Sequence, residues 1–201
     1  MKNILLSCVL LLLIASPVFA LPSPQAEVQQ MVDSVLEVLQ DADLSVSEKK
    51  QLISGRVQRF LNIDSMARRT LGQHWDDASI EQRQRFADLF IQVLEKTYLN
   101  RIESYSEGSV RYQMQRVKGD KAIIDTVILS GEMEIPVQYK MIYVDNSWQV
   151  FDLVIEGISL IRNYRSSYGE IIRREGYEGL FVRMEEKVDS SGQGGGAVGQ
   201  P

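Results

Sequence analysis

Three observations predict an α+β fold. Apolar residues recur with helical spacing from residue 25 to about 102, alternate with a period of two from 110 to 156, and return to helical spacing after Gly157. Helices, then an antiparallel meander, then a closing helix place the helices on one face of a curved four-stranded sheet. No internal repeat is visible.

The first predicted helix, residues 25 to 40, presents Val28, Met31, Val32, Val35, Leu36 and Leu39 on one face. Ser45 with Glu48 offers a cap for a second, which carries Leu52, Ile53, Val57, Phe60 and Leu61. Asp64 is placed to cap a short third helix bearing Met66 and Leu71, and Gly72 to end it or let it turn. Ser79 and Gln82 form a capping box for a long helix to about Ile102, with Phe86, Leu89, Phe90, Val93, Leu94 and Leu99 in a wide stripe.

Strands are predicted over Val110 to Val117, Lys121 to Ser130, Ile135 to Asp145 and Trp148 to Glu156, joined by turns at Gly119, Gly131 and Asn146. Ile158, Ile161, Tyr164, Ile171 and Ile172 then lie on a helix that Gly176 breaks, and Tyr177 to Glu186 add a last short one.

Two strands are apolar on both alternating faces. Ile123, Val127 and Leu129 oppose Ala122, Ile124 and Ile128, while Trp148, Val150 and Val154 oppose Phe151, Leu153 and Ile155. An antiparallel sheet usually keeps one wet face. Two dry faces mean either cover on both sides or an internal cavity, and the strands alone leave both open.

The ends bound the compartment. Lys2, the apolar run from Ile4 to Ile14 and the small Ala20 have the layout of a secretory signal peptide, so residues 1–20 are expected to be removed and 21–187 to form one domain. A lipoprotein signal at Cys8 is the poorer reading, because that cysteine precedes any adequate apolar run. Cleavage would remove the single cysteine, and with it disulfides, thiolate nucleophiles and cysteine-ligated metals. Residues 188–201, Gly-rich and almost without apolar side chains, are expected to be a disordered tail. The balance of 27 acidic against 22 basic residues argues against nucleic acid as a partner.

Candidates for chemistry are few. The chain has one histidine and no GxSxG, P-loop, GxGxxG or HExxH pattern. His74 beside Trp75 has the chemistry of a general base, yet no carboxylate at helical spacing to orient it; a histidine hydrogen-bonded at a helix end is the simpler reading. Asp125 and Asp152 lie within strands, and a pocket aspartate can serve as the base of an isomerase. Pairing with an arginine, or capping a turn, accounts for Asp152 more simply. Arg68, Arg69, Arg83, Arg85, Arg162, Arg165, Arg173 and Arg174 read mainly as solvated helix faces, a few of them suited to a phosphate headgroup.

Together these residues closely resemble a known family. The matching segments include Met66 to Trp75, Ala78 to Phe86, Thr97-Tyr98, Ser104 to Ser106, Ile135 to Tyr139 and Trp148 to Asp152. They continue through Glu156 to Leu160, Asn163 to Ser166 and Ile172 to Gly176. In this order, over residues 25 to 187, they resemble the periplasmic phospholipid-binding component of the Mla lipid-transport system, the toluene-tolerance auxiliary family (MlaC). The resemblance implies a nuclear-transport-factor-2-like fold around a deep apolar pocket, with phospholipid as cargo and no other cofactor or metal. It also implies a shuttle between an outer-membrane lipoprotein–porin complex and an inner-membrane ABC transporter with its MCE-type subunit, maintaining outer-membrane lipid asymmetry.

The physics suits a carrier. At about 0.8 kcal/mol per methylene, two acyl chains of roughly thirty methylenes face a cost on the order of 20 kcal/mol in water. Their site must be nearly as apolar as a bilayer, yet not much better, or the cargo would never leave. Periodicity nominates Phe60, Met66, Leu71, Phe90, Leu94 and Tyr98 from the helices as its lining. Val127, Leu129, Tyr139, Met141, Phe151, Ile158 and Ile161 are nominated from the sheet and closing helix. The rival expectation is an enzyme of the same fold, isomerase or hydratase-like, acting on a small apolar substrate through Asp152 or His74.

Overall fold

The computed structural model describes residues 22–99 and 108–190. The expected signal peptide, the motif at 104–106, the helix end at Ile102 and most of the expected tail lie outside those residues. Helices α1 (Pro24–Gln40), α2 (Val46–Gln58), α3 (Ile63–Leu71) and α4 (Ile80–Tyr98) precede a five-stranded antiparallel sheet, and α5 (Leu160–Asp189) closes the chain. The strands are β1 (Ser109–Lys118), β2 (Lys121–Ser130), β3 (Met133–Val144), β4 (Ser147–Ile155) and β5 (Ile158–Ser159), in spatial order β1-β2-β3-β4-β5.

Local chemistry accounts for most boundaries. Ser45 and Glu48, and likewise Ser79 and Gln82, form reciprocal capping boxes that satisfy the first amides of α2 and α4. The cap of α3 is Asn62 rather than Asp64: Asn62 Oδ1 accepts from the Ser65 amide at 2.8 Å, and Asp64 sits in the first turn. Gly72 ends α3 at φ 57°. A Cβ there would also lie 3.2 Å from Cδ and Nε of Arg165, so both its conformation and its neighbour demand glycine. Gly176, at φ 72°, kinks α5 where the sequence predicted a break.

The fifth strand is a departure from the predicted four. Glu156 and Gly157 both take positive φ, 50° and 83°, so the chain reverses in two residues. Ile155 and Val154 then pair with Ile158 and Ser159. The helix starts only at Leu160, after a cap by Ser159.

Two large clusters and a smaller one between α1 and α2, around Val38, Leu39 and Ile53, make the core. Phe86, Phe90, Tyr164 and Tyr168 pack edge-to-face and stacked at centroid distances of 5.2–6.3 Å, gluing α4 to α5, with Met66, Leu71 and Phe181 beside them. On the sheet, Val28 and Met31 of α1 meet Ala122, Ile124, Val137, Tyr139, Met141, Trp148 and Val150. The linker between α2 and α3 joins the two layers: Val150 donates to the Phe60 carbonyl at 2.8 Å and accepts from the Asn62 amide at 2.9 Å.

Candidate functional site

The most apolar recess lies where these layers separate. A cavity of about 300 Å³ opens between α1, α2 and α4 on one side and the sheet on the other. Its lining is overwhelmingly aliphatic. From α1 come Met31, Val32, Val35, Leu36 and Leu39; from α2 and its linker, Val57 and Leu61; from α4, Ile91, Leu94, Tyr98 and Leu99. Val110, Ile128, Val137, Tyr139, Val150, Leu153 and Ile155 form the sheet wall.

A β-bulge builds much of that wall. Lys140 faces Asp152 and Met141 faces Val150, so Phe151 is an extra residue in β4. Strict alternation puts Trp148 and Val150 opposite Leu153 and Ile155. Across the bulge all four pair with residues 137, 139, 141 and 143 of β3, and therefore share one face. The same shift frees Val150 to bond the α2–α3 linker, which delivers Leu61 to the cavity.

Polar groups on the wall satisfy one another. Ser54, Gln58 and Glu95 form a cluster in which Gln58 Nε2 donates to Glu95 Oε1 at 2.6 Å and to Ser54 Oγ at 3.1 Å, and the Ser54 hydroxyl donates to Glu95. Tyr139 is buried in the sheet wall, and desolvation pushes its phenol up to about 12, although a Thr126 hydrogen bond acts the other way.

Of the residues nominated from periodicity, Met66, Leu94, Tyr98 and Tyr139 line this cavity. Leu71, Phe90 and Ile161 are instead in the α3–α4–α5 core, and Met141 is in the core beneath α1. The α4 stripe is wide because it has two jobs: Ile91, Glu95 and Tyr98 face the cavity, Phe86, Leu89, Phe90 and Val93 face the core, and Leu94 borders both. Val127 and Leu129 occupy the opposite sheet face from Ile128, as their parity on β2 requires. Phe151 lies beneath the Arg69 guanidinium at 4.2 Å, Ile158 is 42% exposed on β5, and Phe60 packs beside Trp148 outside the cavity. The largest omission from the nominated set was the α1 face. Its apolar spacing was visible, but nothing in the spacing says whether a helix covers a sheet or roofs a void.

The two candidate aspartates are committed to the fold. Asp152 is 5% exposed, and its carboxylate accepts from Lys140 Nζ at 3.0 Å, Ser159 Oγ at 2.8 Å and the Ile161 amide at 3.2 Å. It neutralises a lysine and caps α5. Asp125 accepts from Arg116 and Gln138, each at 2.7 Å. His74 follows α3 in a short 3₁₀ turn, Gly72–His74, and its carbonyl accepts from the Tyr177 hydroxyl. None of the three lines the cavity. Among the described residues no cluster of His, Cys, Asp or Glu could hold a metal, and no helix is long and apolar enough to cross a membrane. The arginines also lie elsewhere. Arg85 pairs with Glu178 and Glu185, Arg174 with Glu170, and Arg83 donates to the Trp75 carbonyl.

Comparison with known proteins agrees with this architecture. The chain is 21% identical over 186 residues to the intermembrane phospholipid transport system binding protein MlaC of Haemophilus influenzae, covering 88% of this chain and 87% of that one. The fold matches a phospholipid-binding protein of Ralstonia solanacearum, solved in complex with a phospholipid, with a TM-score of 0.77 and 24% identity. That match covers 83% of this chain and 97% of the other. The family model for the MlaC protein matches residues 29–186, and the chain belongs to that family.

Proposed function

We propose that this chain is a periplasmic phospholipid carrier and that the cavity between α1, α2, α4 and the sheet receives acyl chains. The observation that carries the reading is the cavity itself: an aliphatic recess whose wall polar groups are already hydrogen-bonded to each other. Such a lining offers tails a bilayer-like environment and no reacting group. The cavity volume, about 300 Å³, stands at the lower end of ligand pockets, so two chains need more room than this conformation provides. Family membership and a relative crystallised with phospholipid support the same reading.

The family context extends the proposal to a route between an outer-membrane lipoprotein–porin complex and an inner-membrane ABC transporter with an MCE-type subunit. Support for an exported carrier includes the signal-peptide layout of residues 1–20. Organic extraction of the purified protein followed by mass spectrometry tests the cargo. Phospholipid in stoichiometric amount is expected, and its near-complete loss in Leu94→Asp with native circular dichroism. Protein empty of lipid, together with an activity abolished by Asp152→Asn, would overturn the carrier reading.

A further inference from the structure

A second recess, of about 470 Å³, lies between the 3₁₀ turn and α5 and shares no lining residue with the apolar cavity. Gln73 and His74 form one wall, and Arg165, Gly169 and Arg173 the other. The last three stand at i, i+4 and i+8, so they occupy one face of α5. Gly169 leaves bare helix backbone as the floor, and His74 Nε2 lies 3.7 Å from where a Cβ would stand. The middle position of this arginine-flanked stripe therefore carries no side chain into the recess.

Its charge is one-sided. No carboxylate lines it, and among the described residues neither Arg165 nor Arg173 enters an ion pair. Arg165 is positioned by donating from Nε to the Arg69 carbonyl at 2.5 Å, and no described acceptor meets its terminal amino groups. Arg174, the neighbour of Arg173, is already paired with Glu170. In a chain of net charge −5, this concentrates unneutralised cations in one concave place.

We infer that this recess docks an acidic segment of a partner protein, with two carboxylates pairing with Arg165 and Arg173. The two arginines are two helical turns apart, about 12 Å along the axis. Carboxylates four residues apart on an extended segment span about 13 Å. Each guanidinium can then form a charge-assisted, two-pronged contact. A flat bilayer surface does not enter a recess walled by a 3₁₀ turn, and a single phosphate matches a two-turn separation less well. The inference does not depend on what fills the apolar cavity.

His74 is the only histidine of the chain, so its ring resonances need no assignment. The probe is the capped pentapeptide Glu-Ala-Ala-Ala-Glu, titrated into the intact protein at fixed pH while the His74 Cε1–H signal is followed. A saturable displacement is expected, about tenfold weaker in Arg173→Gln and absent with the Gln-Ala-Ala-Ala-Gln peptide. Absence of saturation at millimolar peptide, or equal affinity in Arg173→Gln, would overturn the inference. Inorganic phosphate binding as tightly as the peptide would also overturn it, by showing a generic anion site.

Discussion

Gln58 on α2 donates to the Glu95 carboxylate on α4 at 2.6 Å, and the Ser54 hydroxyl reaches the same oxygen. This contact ties two helices of the cavity wall through their polar atoms and leaves the wall otherwise aliphatic. Glu95→Ala removes the shared acceptor from two half-buried donors. It should cost about 1–2 kcal/mol, with Glu95→Gln costing less. Urea unfolding midpoints measure it, and an unchanged midpoint for Glu95→Ala would show that water replaces the carboxylate at no cost.

Leu94 and Phe90 are one helical turn apart in the same core cluster, but only Leu94 also lines the cavity. Phe90 is 1% exposed among Phe86, Tyr164 and Tyr168. Phe90→Ala should therefore cost about 3–5 kcal/mol while the folded fraction keeps its lipid. Leu94→Asp should lose the lipid from the folded fraction and also lower stability, because Leu94 is buried. Thermal unfolding and lipid-to-protein ratios on the same samples separate the two effects. Lipid lost from Phe90→Ala at native stability would move Phe90 to the cavity wall.

Replacing Asp152 with Asn leaves Lys140 without its counter-charge and weakens the cap on α5. The expected cost is about 2–3 kcal/mol, and the double variant Asp152→Asn/Lys140→Met should recover part of it. Bound lipid per folded molecule should not change. A variant of native stability that carries no lipid would contradict the structural role given to Asp152.

Tyr139 sets an alkaline limit. An unfolded tyrosine loses its proton near 10, the buried one at about 12. Between these values the unfolded chain binds fewer protons than the folded one, so stability falls as pH rises and is unaffected below about 9. Unfolding midpoints from pH 8 to 11.5 should show this decline, and Tyr139→Phe should make it shallower. Tyr112, raised by burial to about 12 as well, together with Tyr168 and Tyr177, which burial also raises, accounts for a residual slope. Identical profiles for Tyr139→Phe and the parent would assign the decline to other groups.

The helices and the meander were legible because their causes are local. Capping boxes at Ser45 and Ser79, turn residues at Gly119 and Asn146, and the change of period all act within a few residues. The short β5 has a cause of the same kind, the reversal at Glu156 and Gly157, but the helical spacing of Ile158 and Ile161 hides it in the sequence. The cavity lining was only partly legible. Met66, Leu94, Tyr98 and Tyr139 could be nominated by periodicity, but so could Leu71, Phe90 and Ile161, which face the same kind of apolar surroundings without a void.

By itself the sequence determined the α+β class, most element boundaries, the poverty of catalytic groups and the resemblance to a lipid-binding family. Each follows from residue type and spacing along the chain. Tertiary structure decided which apolar face borders the cavity. The bulge at Phe151 swings Leu153 and Ile155 to the side of Val150, and the linker bonded to Val150 brings Leu61 beside them. A filled core and an empty pocket demand the same side chains, so only the distance between layers tells them apart.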